Sequence, residues 1–346
     1  MPYPSNQEAL QPLLQNLESK RQNYLKAYEK AKRLRWIPIG LFIVFSLATL
    51  FFSIPLLLCF GGCIGLGILI EYKKIAPSER AYREVYKNDF VQPFVQLLYP
   101  NVHYLPGQFS TSNHIQASLL YNLLDANGNL VCEDGFRGTT KQGHEFTMME
   151  VAYGIDVHGK MEHQREIFIS IASPNKGYRS IFAAKNAMMA HTLDAYNKKH
   201  IEQDPIVAQQ QISTQFAEGY TIYSQEEEDV KAFLTPEFTG LLWGLVEQWS
   251  GALRFSFVED VFHIALPSQH NYFETDLTEF VSEAFLGQKL FKELTTCLSI
   301  VEELSAGMNR IKLPSQERRL PLKDSTASTE NWDNSAYDHF IDQGLL

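Results

Sequence analysis

The sequence predicts an α+β protein: an N-terminal helix, a two-helix transmembrane hairpin, then a soluble domain that mixes an antiparallel sheet with helices. Three observations carry that prediction. Trp36 to Ile70 runs for 35 residues without a Lys, Arg, Asp, Glu, His, Asn or Gln. Between Leu130 and Ile171 the pattern is that of strands with tight turns. On either side, after Ser78 and after Pro236, apolar residues return to helical spacing.

Composition sets the limits. The 346 residues leave room for one large or two small domains beyond the apolar run. The chain is 45% hydrophobic and 20% charged, and its mean hydropathy of -0.19 already includes that run. The remainder is therefore expected to be water-soluble. A net charge of -10 and a pI near 5.5 disfavour nucleic acid, which requires a broad basic surface. Cys59 and Cys63 lie in the apolar run, Cys132 and Cys297 far away, and neither CxxC nor zinc spacing occurs. They read as small buried hydrophobes with reduced thiols, which suits cytosolic exposure. Mostly polar residues precede the run, so it reads as an anchor and not as a cleavable signal peptide.

Residues 1–35 form the first expected element, a basic amphipathic helix. Leu14, Leu17, Arg21, Tyr24, Tyr28, Ala31 and Arg35 follow a 3-4 spacing. That stripe suits a support packed on the soluble domain, a helix lying on an anionic membrane, or a short coiled coil, with the first two favoured together.

Residues 36–71 form the hairpin. One straight helix of this length would reach about 50 Å, against about 30 Å of bilayer hydrocarbon. Ser53-Ile54-Pro55 interrupts the run near its middle. Lys20, Arg21, Lys26, Lys30, Lys32, Arg33 and Arg35 precede it, and Lys73, Lys74, Arg80 and Arg83 follow. Basic flanks stay cytoplasmic, so both ends are expected on one side. Each arm is short at roughly 24 Å. A spanning hairpin, with thinning and snorkelling, is preferred over a re-entrant wedge. Gly61 and Gly65 stand at GxxxG spacing, which favours packing between the arms over dimerisation.

Residues 72–313 form the expected cytoplasmic α+β domain, with two subdomains at about 78–182 and 216–311. Ser78 is expected to cap a helix carrying Tyr82, Tyr86, Phe90 and Phe94, with a kink or break at Pro93 and an end at Tyr99-Pro100-Asn101. A short helix is expected over His114–Leu124. Gly138 to Gly143 is a loop between strands, and Ile167–Ala172 is a third strand. Phe182–Ala217 is ambiguous. Tyr220–Tyr223 is a strand, Ser224 and Thr235 are helix starts, Arg254–Val258 and Val261–Leu266 form a hairpin, and Thr275 and Gly287 precede the last helices. Residues 314–346 are rich in Ser, Thr, Asp, Glu and Pro and are expected to be disordered.

A search for chemistry yields no catalytic, cofactor or metal residues. Asp125-Ala126-Asn127-Gly128-Asn129 opens like a calcium loop, but Leu130 and Phe136 stand where Gly and Glu are required. His144, His158 and His163, near Glu145, Asp156 and Glu162, fit no ligand spacing and read as exposed hairpin histidines. Ser173-Pro174-Asn175-Lys176 matches S-x-x-K, but Pro174 and Gly177 argue for a loop. Glu133-Asp134 and Glu259-Asp260 read as solvated turn acids, and Glu226-Glu227-Glu228 as a first helical turn facing the positive end of the helix dipole. Of Trp243 and Trp249, one is expected to pack inward and the other to stay partly exposed. Leu345-Leu346 after Asp342 is too short a pattern to assign a sorting or secretion signal to the tail.

Tyr223-Ser224-Gln225-Glu226, Phe233-Leu234-Thr235-Pro236, the run from Phe255 to Pro267 and Asn271-Tyr272-Phe273-Glu274 stand in an order that resembles the bacterial domain-of-unknown-function family 3137. The resemblance covers roughly residues 72–311 and also takes in Gly135–Glu150 and Ile167–Ala172. It implies two adjacent transmembrane helices ahead of a cytoplasmic α+β domain, at a bacterial inner membrane, and it implies no reaction. The expected partners are the lipid bilayer and a protein partner or a second copy of the chain, without cofactor or nucleic acid. The leading function is a membrane-anchored binding or scaffold module. The alternative is a membrane-bound enzyme acting on a lipid or membrane-proximal substrate.

Overall fold

The structure, a computed structural model, describes residues 7–34, 36–52, 56–107, 130–157, 160–173, 178–185, 208–210, 220–224, 227–249 and 253–311, together with 115, 118, 120 and 121. The calcium-like loop and the tail from 314 lie outside the described residues, as does most of the helix expected over 114–124. The chain divides into two units, Met1–Pro100 with Phe273–Leu294, and Asn101–Tyr272 with Thr295–Leu346.

The first unit is helical. Helix α1 (Gln7–Leu34) is followed by α2 (Trp36–Phe52) and α3 (Leu56–Ile70). The chain then stays helical through a wide π turn (Glu71–Ile75), α4 (Ala76–Tyr86), a second π turn (Lys87–Val91) and α5 (Gln92–Leu98). Helices α1 and α4 run antiparallel, tied by Lys20 to Asp89 at 2.6 Å and by the rings of Tyr24 and Tyr82 at 6.4 Å. Of the expected stripe, Leu14, Leu17, Arg21 and Ala31 are buried, Tyr24 and Tyr28 are half-buried, and Arg35 lies outside the described residues; Leu10, Tyr82, Tyr86 and Phe90 are buried as well. Arg21 is tolerated there because Glu18 accepts from it at 2.8 Å and the Leu277 carbonyl at 3.1 Å.

Three expectations are corrected in this unit. Ser78 caps nothing: its hydroxyl donates to the Lys74 carbonyl within a continuing helix. Pro77 and Pro93 do not break that helix either. Each closely follows a π turn, where the bonds Ala76 N–H to Glu71 O and Gln92 N–H to Lys87 O shift the ladder before a residue that cannot donate. Thr275 lies in irregular chain ahead of a turn at Leu277-Thr278, and the next helical residues start after Ser282, whose Oγ accepts from Phe285 N.

Among the described residues, no helix is long and apolar enough to cross a membrane. With 17 residues in α2 and 15 in α3, the arms reach about 26 and 23 Å. A bilayer core is about 30 Å thick.

The second unit is built on an antiparallel sheet. Its strands are β1 (Val102–Pro106), β2 (Leu130–Thr139), β3 (Glu145–Val157), β4 (Lys160–Ala172), β5 (Tyr178–Lys185), β6 (Ala208–Gln210), β7 (Tyr220–Ser224), β8 (Arg254–Glu259) and β9 (Val261–Ser268). Their order is β1-β2-β3-β4-β9-β8-β5-β7-β6. The expected β8–β9 hairpin therefore sits inside the sheet, and its three phenylalanines, Phe255, Phe257 and Phe262, are buried together on one face.

Register defines those faces. Tyr104, Phe136, Met148, Ile169, Ile264 and Phe255 form one row across six strands, every member buried. Each such side chain contributes about 1.5–3 kcal/mol on burial. On this face lie α6 (Glu227–Phe233) and α7 (Pro236–Gln248), whose Phe233 and Phe238 meet Phe257 and Phe262. Thr235 caps α7 as expected, its Oγ1 accepting from Phe238 N. Helix α8 (Gln288–Met308) adds Ile300, Val301, Leu304 and Met308 to the buried core. The opposite face carries Cys132, Met149, Val151, Phe168 and Ala265, which cluster with Ile115, Leu120 and Tyr121.

Candidate functional site

The most unusual chemistry in the sheet unit is a buried group of acids at a β-bulge. Between the pairs Cys132↔Val151 and Gly135↔Met149, two residues of β2, Glu133 and Asp134, oppose a single residue of β3, Glu150. All three carboxylates are buried. Arg165, one pair along β4, donates from Nη1 to Glu133 at 3.1 Å and to Glu150 at 3.3 Å. The Tyr104 hydroxyl donates to Asp134, and Glu150 also accepts from Tyr272 N at 3.4 Å.

Glu133 and Glu150 share the Arg165 guanidinium, in a medium that penalises uncompensated charge. Burial first, then the neighbouring Glu133 charge, push the Glu150 carboxyl up to about 9 against an opposing pull from Arg165. At neutral pH Glu150 is therefore a protonated acid that stores a proton inside the sheet. Glu133 and Asp134 are hard oxygen donors of the kind a divalent cation prefers. Both already hold internal partners, Arg165 and Tyr104.

A second ionic group lies on the opposite face. Glu166 accepts from Tyr121 at 2.7 Å, Tyr153 at 2.8 Å and Arg254 at 2.5 Å. Arg254 also donates to the Leu120 carbonyl at 2.9 Å and stacks its guanidinium over the Tyr121 ring. Burial, followed by the Glu166 charge, raises both phenols; on Arg254 burial pulls down most strongly, and Glu166 together with the Tyr153 and Tyr121 phenols turns the net shift upward. The carboxylate has a full set of donors, so this group fixes the strand register and the 120–121 segment.

Two Ser–His pairs complete the polar interior. Ser170 and His263 face each other across β4 and β9 at 2.8 Å, with His263 stacked on Phe168. Ser305 of α8 meets His144 Nδ1 at 2.8 Å and Thr140 Oγ1 at 2.9 Å, while Glu302 accepts from Lys141 N. Burial holds His144 below its usual range, against a hydrogen bond it donates to Asn309, which raises it. Ser305 is fully buried, so this pair clamps the β2–β3 loop onto α8 and offers no exposed nucleophile.

The sequence candidates land in different places. Glu133 and Asp134 are not solvated turn acids: the Glu-Asp-Gly stretch sits in a strand, and the extra residue of the bulge turns both carboxylates inward. His144 is not an exposed hairpin histidine, because the loop folds under α8. His163 is exposed opposite Gly154, near the far end of β3, so it and His144 form no metal site. His158 lies outside the described residues. Asp260 sits in the β8–β9 turn as expected. Trp243 and Trp249 are both half-buried, the first donating to Glu247 and the second stacked on Tyr272. Sequence reasoning missed the bulge and the Glu166 group. The available signal was a charge within an apolar strand, as in Met148-Met149-Glu150-Val151 and Arg165-Glu166-Ile167-Phe168.

The first unit presents a different kind of site. Helix α2 is apolar all round and exposes Trp36 at 69%, Val44 at 62% and Ile39 at 48%. On α3, Ile68 is exposed at 64% and Leu69 at 50%. A helix hydrophobic on every side belongs in a core or in lipid.

No curated protein and no solved structure matches the chain. A family model does. It runs from Arg165 in β4, through the β8–β9 hairpin, to α8, and so contains the motif residues from 223 to 274. Residues 165–306 of this chain are a domain of the family described as protein of unknown function (DUF3137).

Proposed function

We propose that the chain is a binding module held at a membrane by the α2–α3 hairpin, which enters and leaves lipid by one face and keeps both termini in the cytoplasm. The carrying observation is the set of apolar side chains exposed on both arms among the described residues, with Trp36, Ile43, Val44 and Leu47 on α2 and Ile64, Ile68 and Leu69 on α3. Isolated exposed aliphatics are ordinary, whereas two adjacent helices that are apolar on every side need an apolar solvent. Arms of about 26 and 23 Å support insertion from one face. The module binds a protein or lipid partner through its folded domain. Glu150 gives the enzyme reading its single support, since shifted acids gather at catalytic centres. Complete burial of that side chain weighs against it.

Flotation tests the proposal. The full chain, purified in detergent and mixed with phosphatidylcholine vesicles during detergent removal, is expected to float with them and to resist a high-salt wash. Ile43→Asp with Ile68→Asp places two acids on the arms, each costing about 2.5–3.5 kcal/mol at depth. This variant should stay at the bottom of the gradient. Wild-type protein that stays soluble and monomeric without detergent would overturn the reading.

A further inference from the structure

We propose, resting on the hairpin reading above, that the base of the hairpin is a recognition surface for anionic phospholipid headgroups. Its two halves come from distant sequence. Lys26, Lys30, Lys32 and Arg33 are exposed on the last turns of α1, and Lys73 and Lys74 are exposed on the π turn after α3. The antiparallel register brings them together. Lys20 pairs with Asp89 and Tyr24 meets Tyr82, so each step up α1 is a step back along the returning helix. Continued upward, that register sets buried Ala31 beside buried Ile75, and α1 packs on the π turn. Lys32 and Arg33 therefore share a level with Lys73 and Lys74.

The apolar surface begins at that same level. Trp36 opens α2 at 69% exposure, and Tyr72 follows α3 at 54%. Trp and Tyr favour the headgroup layer, where an amphipathic ring can be half in oil and half in water. Lys32 Nζ sits 5.7 Å over the Tyr28 ring, continuing the aromatic and basic mixture one turn lower. The order along the unit is thus aliphatic, then aromatic, then basic, which matches hydrocarbon, interface and phosphate. Glu29 and Glu71 are the acids within the collar, against six cations. Charge complementarity selects an anionic leaflet as the occupant.

Each Lys or Arg near an anionic surface contributes about fivefold in partitioning, and salt screens the effect over about 8–10 Å. The test compares the full chain on phosphatidylcholine vesicles and on phosphatidylcholine mixed with phosphatidylglycerol, at low and high salt. Wild type is expected to prefer the anionic vesicles at least tenfold at low salt and to lose that preference at high salt. The variant Lys32→Gln, Arg33→Gln, Lys73→Gln, Lys74→Gln should bind both vesicles as wild type binds the neutral one. These side chains are exposed, and circular dichroism checks that the helices remain. Equal wild-type partitioning onto both vesicles overturns this inference and leaves the hairpin reading standing. Flotation with neither vesicle overturns both.

Discussion

Replacing Glu150 by Gln removes one titrating proton from the bulge and keeps its shape. In the folded chain the carboxyl is held at about 9, against 4.5 when exposed. A raised acid supports the fold fully below 4.5, where both states are protonated, and loses that support as pH climbs toward 9. The loss is about 1.4 kcal/mol per pH unit, hence about 3 kcal/mol by pH 7. Glutamine cannot ionise in either state, so it escapes the loss. Arg165 keeps Glu133 at 3.1 Å, and the new amide offers donors beside that carboxylate. Glu150→Gln should therefore stabilise the full chain by up to about 3 kcal/mol at pH 7. The difference should shrink toward zero near pH 4.5 and grow toward pH 9. Urea unfolding in mild detergent, followed by tryptophan fluorescence at pH 5, 7 and 8.5, measures it. A variant destabilised by the same amount at every pH would show that Glu150 is ionised in the fold and that the protonated bulge is wrong.

Two further substitutions probe the same sheet. Arg254→Ala leaves Glu166 buried with only the two phenols, and should cost about 3–5 kcal/mol in denaturant unfolding. A loss under about 1 kcal/mol would mean that water replaces the guanidinium. Gly138→Ala would put a Cβ 2.6 Å from the Asn101 carbonyl oxygen and 2.9 Å from the Phe146 ring, where the start of β1 pairs with β2. Overpacking of this kind costs about 1–3 kcal/mol, read as a lowered melting temperature.

The elements legible from the chain were those with local signals. The apolar run, the β8–β9 hairpin, the Thr235 cap and the stripe of α1 each announce themselves within about two turns or one strand. Arrangements that depend on register were hidden. Glu133-Asp134-Gly135 carries turn chemistry, and only the pairing with Met149 to Val151 makes it a bulge. The Glu166 group draws Tyr121, Tyr153 and Arg254 from separate elements, and no spacing announces it. Short strand β1 lies just beyond the Tyr99-Pro100-Asn101 stop signal, and its 5 residues are too few to display a period. Pro77 and Pro93 are ordinary breakers until the π turns before them are seen. Once present, the charges enforce the fold: a one-residue slip of β4 against β3 would turn Glu166 away from Arg254 and onto the helix-covered face.

Thiol accessibility tests the central claim most directly. With the native cysteines replaced, single variants Lys26→Cys, Leu47→Cys and Lys74→Cys are placed in sealed membrane vesicles and exposed to a membrane-impermeant maleimide from each side. Lys26→Cys and Lys74→Cys should react from one and the same side, and Leu47→Cys from neither until detergent is added. Reaction of the two collar positions from opposite sides, or of Leu47→Cys with intact membranes, would contradict a hairpin that enters and leaves lipid by a single face.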